Sequence, residues 1–143
     1  NIHPETDRAN FGFQFNVAGE SGFNETITAA TWRATHTEDD SEAVLQYLTS
    51  IDQAQTTVQQ VSLIDLTSDA DGAGGMYLHL FNPSSTTYVK NFISRGVNNG
   101  DHPNAHDIFT AGYVNVTGAI DEVQFKMSTG NMNGKIKMWG VKN

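Results

Sequence analysis

Two segments hold the side chains best suited to chemistry. Asp101-His102-Pro103-Asn104-Ala105-His106-Asp107 places two imidazoles and two carboxylates within seven residues. Such a set can ligate a divalent cation through His102 and His106, or act as an acid–base pair near neutral pH. The i, i+4 spacing points both imidazoles one way only on a helix. Pro103, after Asn98-Asn99-Gly100, disfavours a long helix here, although a first turn would accept it. On a solvated loop the same residues do no chemistry. The second segment is Asp65-Leu-Thr-Ser-Asp-Ala-Asp-Gly72. Asp69 and Asp71 before Gly72 match the opening of a calcium loop, whose oxygens bind a hard cation. A full loop needs a third acid and a late Glu, whereas Ala73-Gly74-Gly75-Met76 follows here. A turn-rich acidic loop is the alternative. Glu38-Asp39-Asp40, with Glu42, is a charge run of the kind that faces solvent.

No nucleophile elbow, phosphate loop or HExxH pattern occurs. With no cysteine there is no thiolate nucleophile, disulfide framework or zinc–thiolate site. The expectation is a non-enzymatic chain without a cofactor. The aromatic residues supply a third kind of chemistry. Trp32, Tyr77, Tyr88 and Tyr113, together with Tyr47 and Trp139, could line a glycan-binding face. Rings stack on sugar faces while Asn, Asp and Thr bind hydroxyls. The alternative use of these rings is packing in a core or between subunits, where each contributes a large buried area.

Strands have to position these residues. Thr, Asn, Gly and Ser make up 50 of the 143 residues. β-branched and aromatic residues suit pleated strands, and Asn and Gly suit turns. Period-2 alternation recurs: Phe11, Phe13, Phe15 and Val17 share one face, and Met76, Leu78 and Leu80 lie opposite Tyr77 and His79. Val123–Met127 and Ile136–Trp139 alternate in the same way. The pattern predicts eight or nine strands over 11–17, 26–36, 43–49, 57–65, 75–81, 86–94, 108–117, 119–128 and 134–141. Only 38–48 and 50–60 have helix-compatible stretches. Asn98–Asn104 is the longest loop candidate, and Asn133-Gly134 is a strong hairpin dipeptide between the last two strands. No helices alternate with the strands, so the expected class is all-β: one antiparallel β-sandwich domain over residues 11–143, of jelly-roll type, preceded by an arm or linker at residues 1–10.

The formal charge of −8 speaks against nucleic-acid binding. The apolar runs are too short for a membrane-spanning helix. No basic segment followed by an apolar one opens the chain, so a signal peptide is not expected. A start at Asn1 rather than Met suggests a processed product or part of a larger protein. Residues 1–72 carry 12 acids and 2 bases, whereas residues 73–143 carry 4 acids and 6 bases. That asymmetry favours head-to-side docking between subunits, unless the two halves mix in space.

Ala119-Ile-Asp-Glu-Val-Gln-Phe-Lys-Met-Ser-Thr-Gly-Asn-Met-Asn-Gly-Lys-Ile-Lys-Met-Trp-Gly-Val141 resembles the closing hairpin of tailed-bacteriophage virion proteins. Those proteins end with a strand, a Ser-Gly-Asn turn and a return strand finishing in aromatic-Gly-Ile/Val. Phe81-Asn-Pro-Ser-Ser-Thr-Thr-Tyr88 fits the same group, as does Thr110-Ala-Gly-Tyr113. Ser128-Thr129-Gly130 carries one residue more than the usual turn, and the resemblance covers residues 75–143. It implies a tail fibre, appendage or capsid decoration subunit, made in the host cytoplasm and located in the virion. The implied partners are other virion proteins and further copies of the chain, with a trimer favoured. Host surface polysaccharide is a possible ligand, and neither nucleic acid nor membrane insertion is expected.

Overall fold

The computed structural model describes residues 1–141. Eleven strands are present: β1 (Ile2–Pro4), β2 (Ala9–Val17), β3 (Ile27–Thr37), β4 (Ala43–Tyr47), β5 (Gln53–Thr56), β6 (Gln60–Leu66), β7 (Gly74–Leu80), β8 (Lys90–Asn99), β9 (Asn104–Val114), β10 (Ile120–Met127) and β11 (Met132–Gly134). They form an eight-stranded sheet, ordered β11-β1-β7-β8-β9-β3-β4 with β5 also on β3, and a three-stranded sheet, ordered β10-β2-β6. Every pairing is antiparallel. The expected antiparallel sandwich is therefore present. Its strands divide eight and three, rather than four and four as in a simple jelly roll, and β7–β8–β9 run as a consecutive meander.

Several elements differ from the sequence expectation. None of the described residues is helical, and the helix-compatible stretch at Glu42–Leu48 holds β4, which pairs along β3. Residues 1–10, expected as an arm, contribute β1 between β11 and β7, and they bury Ile2 and Ala9. The expected long loop at 98–104 is a tight connection, because β8 runs on to Asn99 and β9 begins at Asn104. The expected closing strand at 134–141 shrinks to β11, which contains Asn133 and Gly134, and the backbone from Lys135 to Val141 joins no sheet.

The core forms where alternation turns apolar side chains between the sheets. Phe13 of β2 packs edge-on against Phe92 of β8, with ring centroids 5.3 Å apart and planes at 89°. Phe15, Val17, Ile27, Ala29, Val114 and Ile120 complete this cluster. Burying such a ring contributes roughly 1.5–3 kcal/mol. Further along β8 the sheets approach much more closely. A Cβ on Gly96 would strike the Ser62 carbonyl oxygen and the Leu63 side chain of β6. Beside it Ser62 Oγ and Ser94 Oγ hydrogen-bond across the gap at 3.0 Å. Along β8, Phe92 thus spaces the two sheets, whereas Ser94 and Gly96 let β6 approach closely.

Lys90 begins β8 on the same inward face as Phe92 and is fully buried. Its Nζ donates toward the carbonyls of Tyr88 (2.9 Å), Val116 (3.2 Å), Thr117 (3.0 Å) and Gly118 (2.7 Å). An ammonium has three protons, so four acceptors saturate it and one proton is shared. These bonds tie the start of β8 to the segment that leads into β10, and so link the two sheets.

Three substitutions test this packing. Phe13→Ala should lower the unfolding free energy by about 3–5 kcal/mol through the cavity it leaves, and Gly96→Ala by about 1–3 kcal/mol through overpacking; urea titration measures both. Lys90→Met should cost at least about 2 kcal/mol, because buried carbonyls lose their donor while the apolar volume is retained. A Lys90→Met chain as stable as the original in the same titration would refute the anchoring role.

Candidate functional site

The inward packing of the large sheet fixes what appears on its outer face. On β8, Phe92, Ser94, Gly96 and Asn98 alternate with outward Ile93, Arg95 and Val97. The registers of five strands then bring one row into line. Tyr77 of β7 pairs with Arg95 of β8, Arg95 with Phe109 of β9, Phe109 with Trp32 of β3, and Trp32 with Tyr47 of β4. Four inter-strand spacings make this row about 19 Å long.

The row is ordered by stacking. The Trp32 and Phe109 rings lie face to face, with centroids 4.2 Å apart and planes 8° apart. Because they are direct cross-strand neighbours, the two rings stand upright on the sheet with their edges toward solvent. The Arg95 guanidinium covers Phe109 from the other neighbouring strand, with its carbon 4.5 Å from the ring centroid. Asp107 holds it there through two charge-assisted bonds: Nε to Oδ1 at 2.9 Å and Nη2 to Oδ2 at 2.7 Å. That pairing also raises the Arg95 pKa above its ordinary value. Tyr47 donates its hydroxyl to Asp52 at 2.9 Å. Ile93, Val97 and Leu45 stand exposed in the neighbouring rows. The face is apolar, aromatic and open, with one fixed ion pair near its centre.

Of the residues singled out for glycan stacking, Trp32, Tyr47 and Tyr77 lie on this row. Tyr113 is on the same face of β9, four residues from Phe109, and lies opposite Thr28 and Asn91. Tyr88 is exposed in the connection between β7 and β8, away from the row. Both faces of Phe109 are taken, by Trp32 and Arg95, and one face of Trp32 is taken by Phe109. Phe109 therefore offers only its edge, whereas among the described residues Trp32 keeps one face that stacks on no other ring. Arg95 and Phe109 carry no sequence signal of their own, and Asp107 is singled out only with the neighbouring histidines. Only the register shows that they join Trp32.

The polar residues gather elsewhere. A cavity of about 140 Å³ is lined by Arg8, Arg33, Thr35, Glu42, Asp65, Asp101, His102, Asn104 and His106. His102 and His106 thus share a cavity, whereas Asp69 and Asp71 lie in the β6–β7 connection and do not line it. Among the described residues, no three His, Asp or Glu side chains are grouped to hold a metal ion. His106 is in a strand rather than a loop. It is buried, and its Nδ1 is hydrogen-bonded to Thr35 Oγ1 at 3.0 Å. Burial, reinforced by the Arg33 charge, holds the imidazole below its ordinary pKa, with Asp65 and Glu42 opposing. Arg8 and Asp101 make a loose ion pair at 3.7 Å across the cavity rim. The set combines two imidazoles, three carboxylates, two guanidinium groups and the Thr35 hydroxyl, with Thr35 hydrogen-bonded to His106.

No family model, curated protein or solved structure matches the chain. The protein is an antiparallel β-sandwich whose larger sheet carries an open aromatic face.

The buried imidazole predicts a pH dependence. An unfolded histidine titrates near 6.5, while His106 in the folded chain titrates lower. Between those values the unfolded chain binds the additional proton, so stability falls as the pH drops below about 6.5. Urea titrations at successive pH values should show this loss, and His106→Asn should reduce its slope. An unchanged slope in the variant would remove His106 as the cause.

Proposed function

We propose that the chain is a non-enzymatic virion structural subunit, acting through self-assembly and contacts with other virion proteins. The observation that carries this reading is the aromatic row Tyr77–Arg95–Phe109–Trp32–Tyr47 on the open face of the large sheet. Contiguous exposed apolar surface of this kind marks interaction sites. Aromatic and arginine side chains are enriched where protein interfaces bury their centres. A protein partner suits the row better than a sugar, because Phe109 has no free face for a pyranose and the row presents contiguous apolar surface around the clamped Arg95–Asp107 pair. The likeness of residues 75–143 to phage virion proteins supports the location on a particle and favours a trimer. Polysaccharide binding through the row's outer tyrosines is the competing reading.

The test is incorporation into particles. Trp32→Ser with Phe109→Ser should leave the β-sheet circular dichroism intact and shift the melting midpoint by only a few degrees (about 2–4 °C per kcal/mol lost in a domain near this size). It should also reduce the chain recovered in purified particles to background. Normal incorporation of the variant, or absence of the unmodified chain from particles, would overturn the proposal. Trp32-dependent binding on a glycan array, with incorporation unaffected, would favour the polysaccharide reading instead.

A further inference from the structure

We propose that residues 135–141 of one copy add as a strand to the open edge of β4 in a second copy. This rests on the self-assembly reading above and names a contact for it, built from residues other than the Trp32–Phe109 stack.

The donor is an unusual segment. Lys135-Ile-Lys-Met-Trp-Gly-Val141 follows β11 directly and alternates apolar with basic residues over its first four positions, as a strand does. It nevertheless makes no sheet pairing, and its large apolar side chains lie in solvent: Met138 is 76%, Trp139 77% and Val141 83% exposed. Leaving so many apolar side chains in water is costly unless something covers them.

The acceptor is β4. Among the described residues its outer edge pairs with no strand, so alternate backbone N–H and C=O groups face outward. It also exposes Leu45 (71%) and Tyr47 (53%). An open, apolar edge of this kind is a template for a strand from another chain. The other edge on the same side of β3 is β5, Gln53-Ala-Gln-Thr56, which has no large apolar side chain to match the segment. Charge agrees with the choice. The β3–β4 turn exposes Glu38, Asp39, Asp40 and Glu42, while the donor carries Lys135 and Lys137.

Geometry requires the two to come from different copies. β11 and β4 stand at opposite ends of the large sheet, six strand spacings apart in its order, or about 29 Å. The seven residues from Lys135 to Val141 reach only about 24 Å when fully extended. The segment therefore cannot lie along β4 of its own sheet. Donation to a neighbour instead continues one sheet into the next. It is a heterologous contact that closes as a ring or grows as a filament.

The experiment separates the two halves of the contact. One chain lacks residues 135–143; another carries Ala43→Lys and Leu45→Lys, exposed positions where lysine blunts the edge and repels the basic donor. Circular dichroism verifies that both are folded. Light scattering after size exclusion should show assembly for the unmodified chain, monomers for each variant alone, and a 1:1 heterodimer on mixing. A mixture that stays monomeric, or a shortened chain that assembles like the original, would overturn the proposal. A labelled peptide of residues 133–143 gives a second readout that does not depend on assembly. It should bind the shortened chain saturably, and Ala43→Lys with Leu45→Lys should weaken that binding by about tenfold or more. Equal binding to the edge-blocked chain would refute the site. Trp32→Ser with Phe109→Ser should leave peptide binding intact, so failure of the particle reading and failure of this contact are distinguishable.

Discussion

The contact between Phe13 and Phe92 sets the arrangement of everything around it. It joins the small sheet to the large one at 5.3 Å and fixes which face of β8 points inward. Once Phe92 is inside, a pleat of period two places Ser94 and Gly96 inside as well and sends Ile93, Arg95 and Val97 to solvent. The pairing of β8 with β9 and of β9 with β3 passes the same choice along the sheet. The aromatic row is therefore the reverse side of the phenylalanine core. Slipping any of these strands by one residue would exchange Trp32 or Phe109 with a core position, so the burial energy of the core also maintains the outer face.

Unequal sheets give the molecule its character. Three strands cover one face of eight, and among the described residues no further sheet covers the other. The polar cavity and the aromatic face thus have different physical roles. The cavity is lined by both signs of charge around a neutral His106, which offers water a place and stability a pH dependence. The outer face offers area, ring edges and one clamped guanidinium, the ingredients of a contact surface. Lys90 supports this division from within, because it satisfies four carbonyls where the chain passes from the large sheet toward the small one.

Sequence alone reaches the fold class through local signals. Alternation in Phe11–Val17 and Met76–Leu80 reports the inward face directly, and β2 and β7 lie where it points. Trp32 and Tyr77 were also legible as ring-bearing positions. Their relation to Phe109, Arg95 and Tyr47 was not, because it depends on pairing between residues far apart in the chain. The same limit explains β1: three residues with no long alternating run become a strand only because β7 and β11 flank them. It explains the closing segment in the opposite sense. Ile136–Trp139 has the local pattern of a strand, but a strand needs a neighbour, and the chain places none beside it. His106 was legible as a titratable residue, but its burial beside Thr35 was not.

The central claim is that the outer face of the large sheet is covered by protein when the chain is assembled. Hydroxyl-radical footprinting, with mass spectrometry of the isolated chain and of particles containing it, measures this directly. The account predicts strong oxidation of Trp32, Tyr47 and Tyr77 in the isolated chain and marked protection of all three in the particle, with Tyr88 oxidised in both. Equal oxidation of Trp32, Tyr47 and Tyr77 in the two states would contradict it.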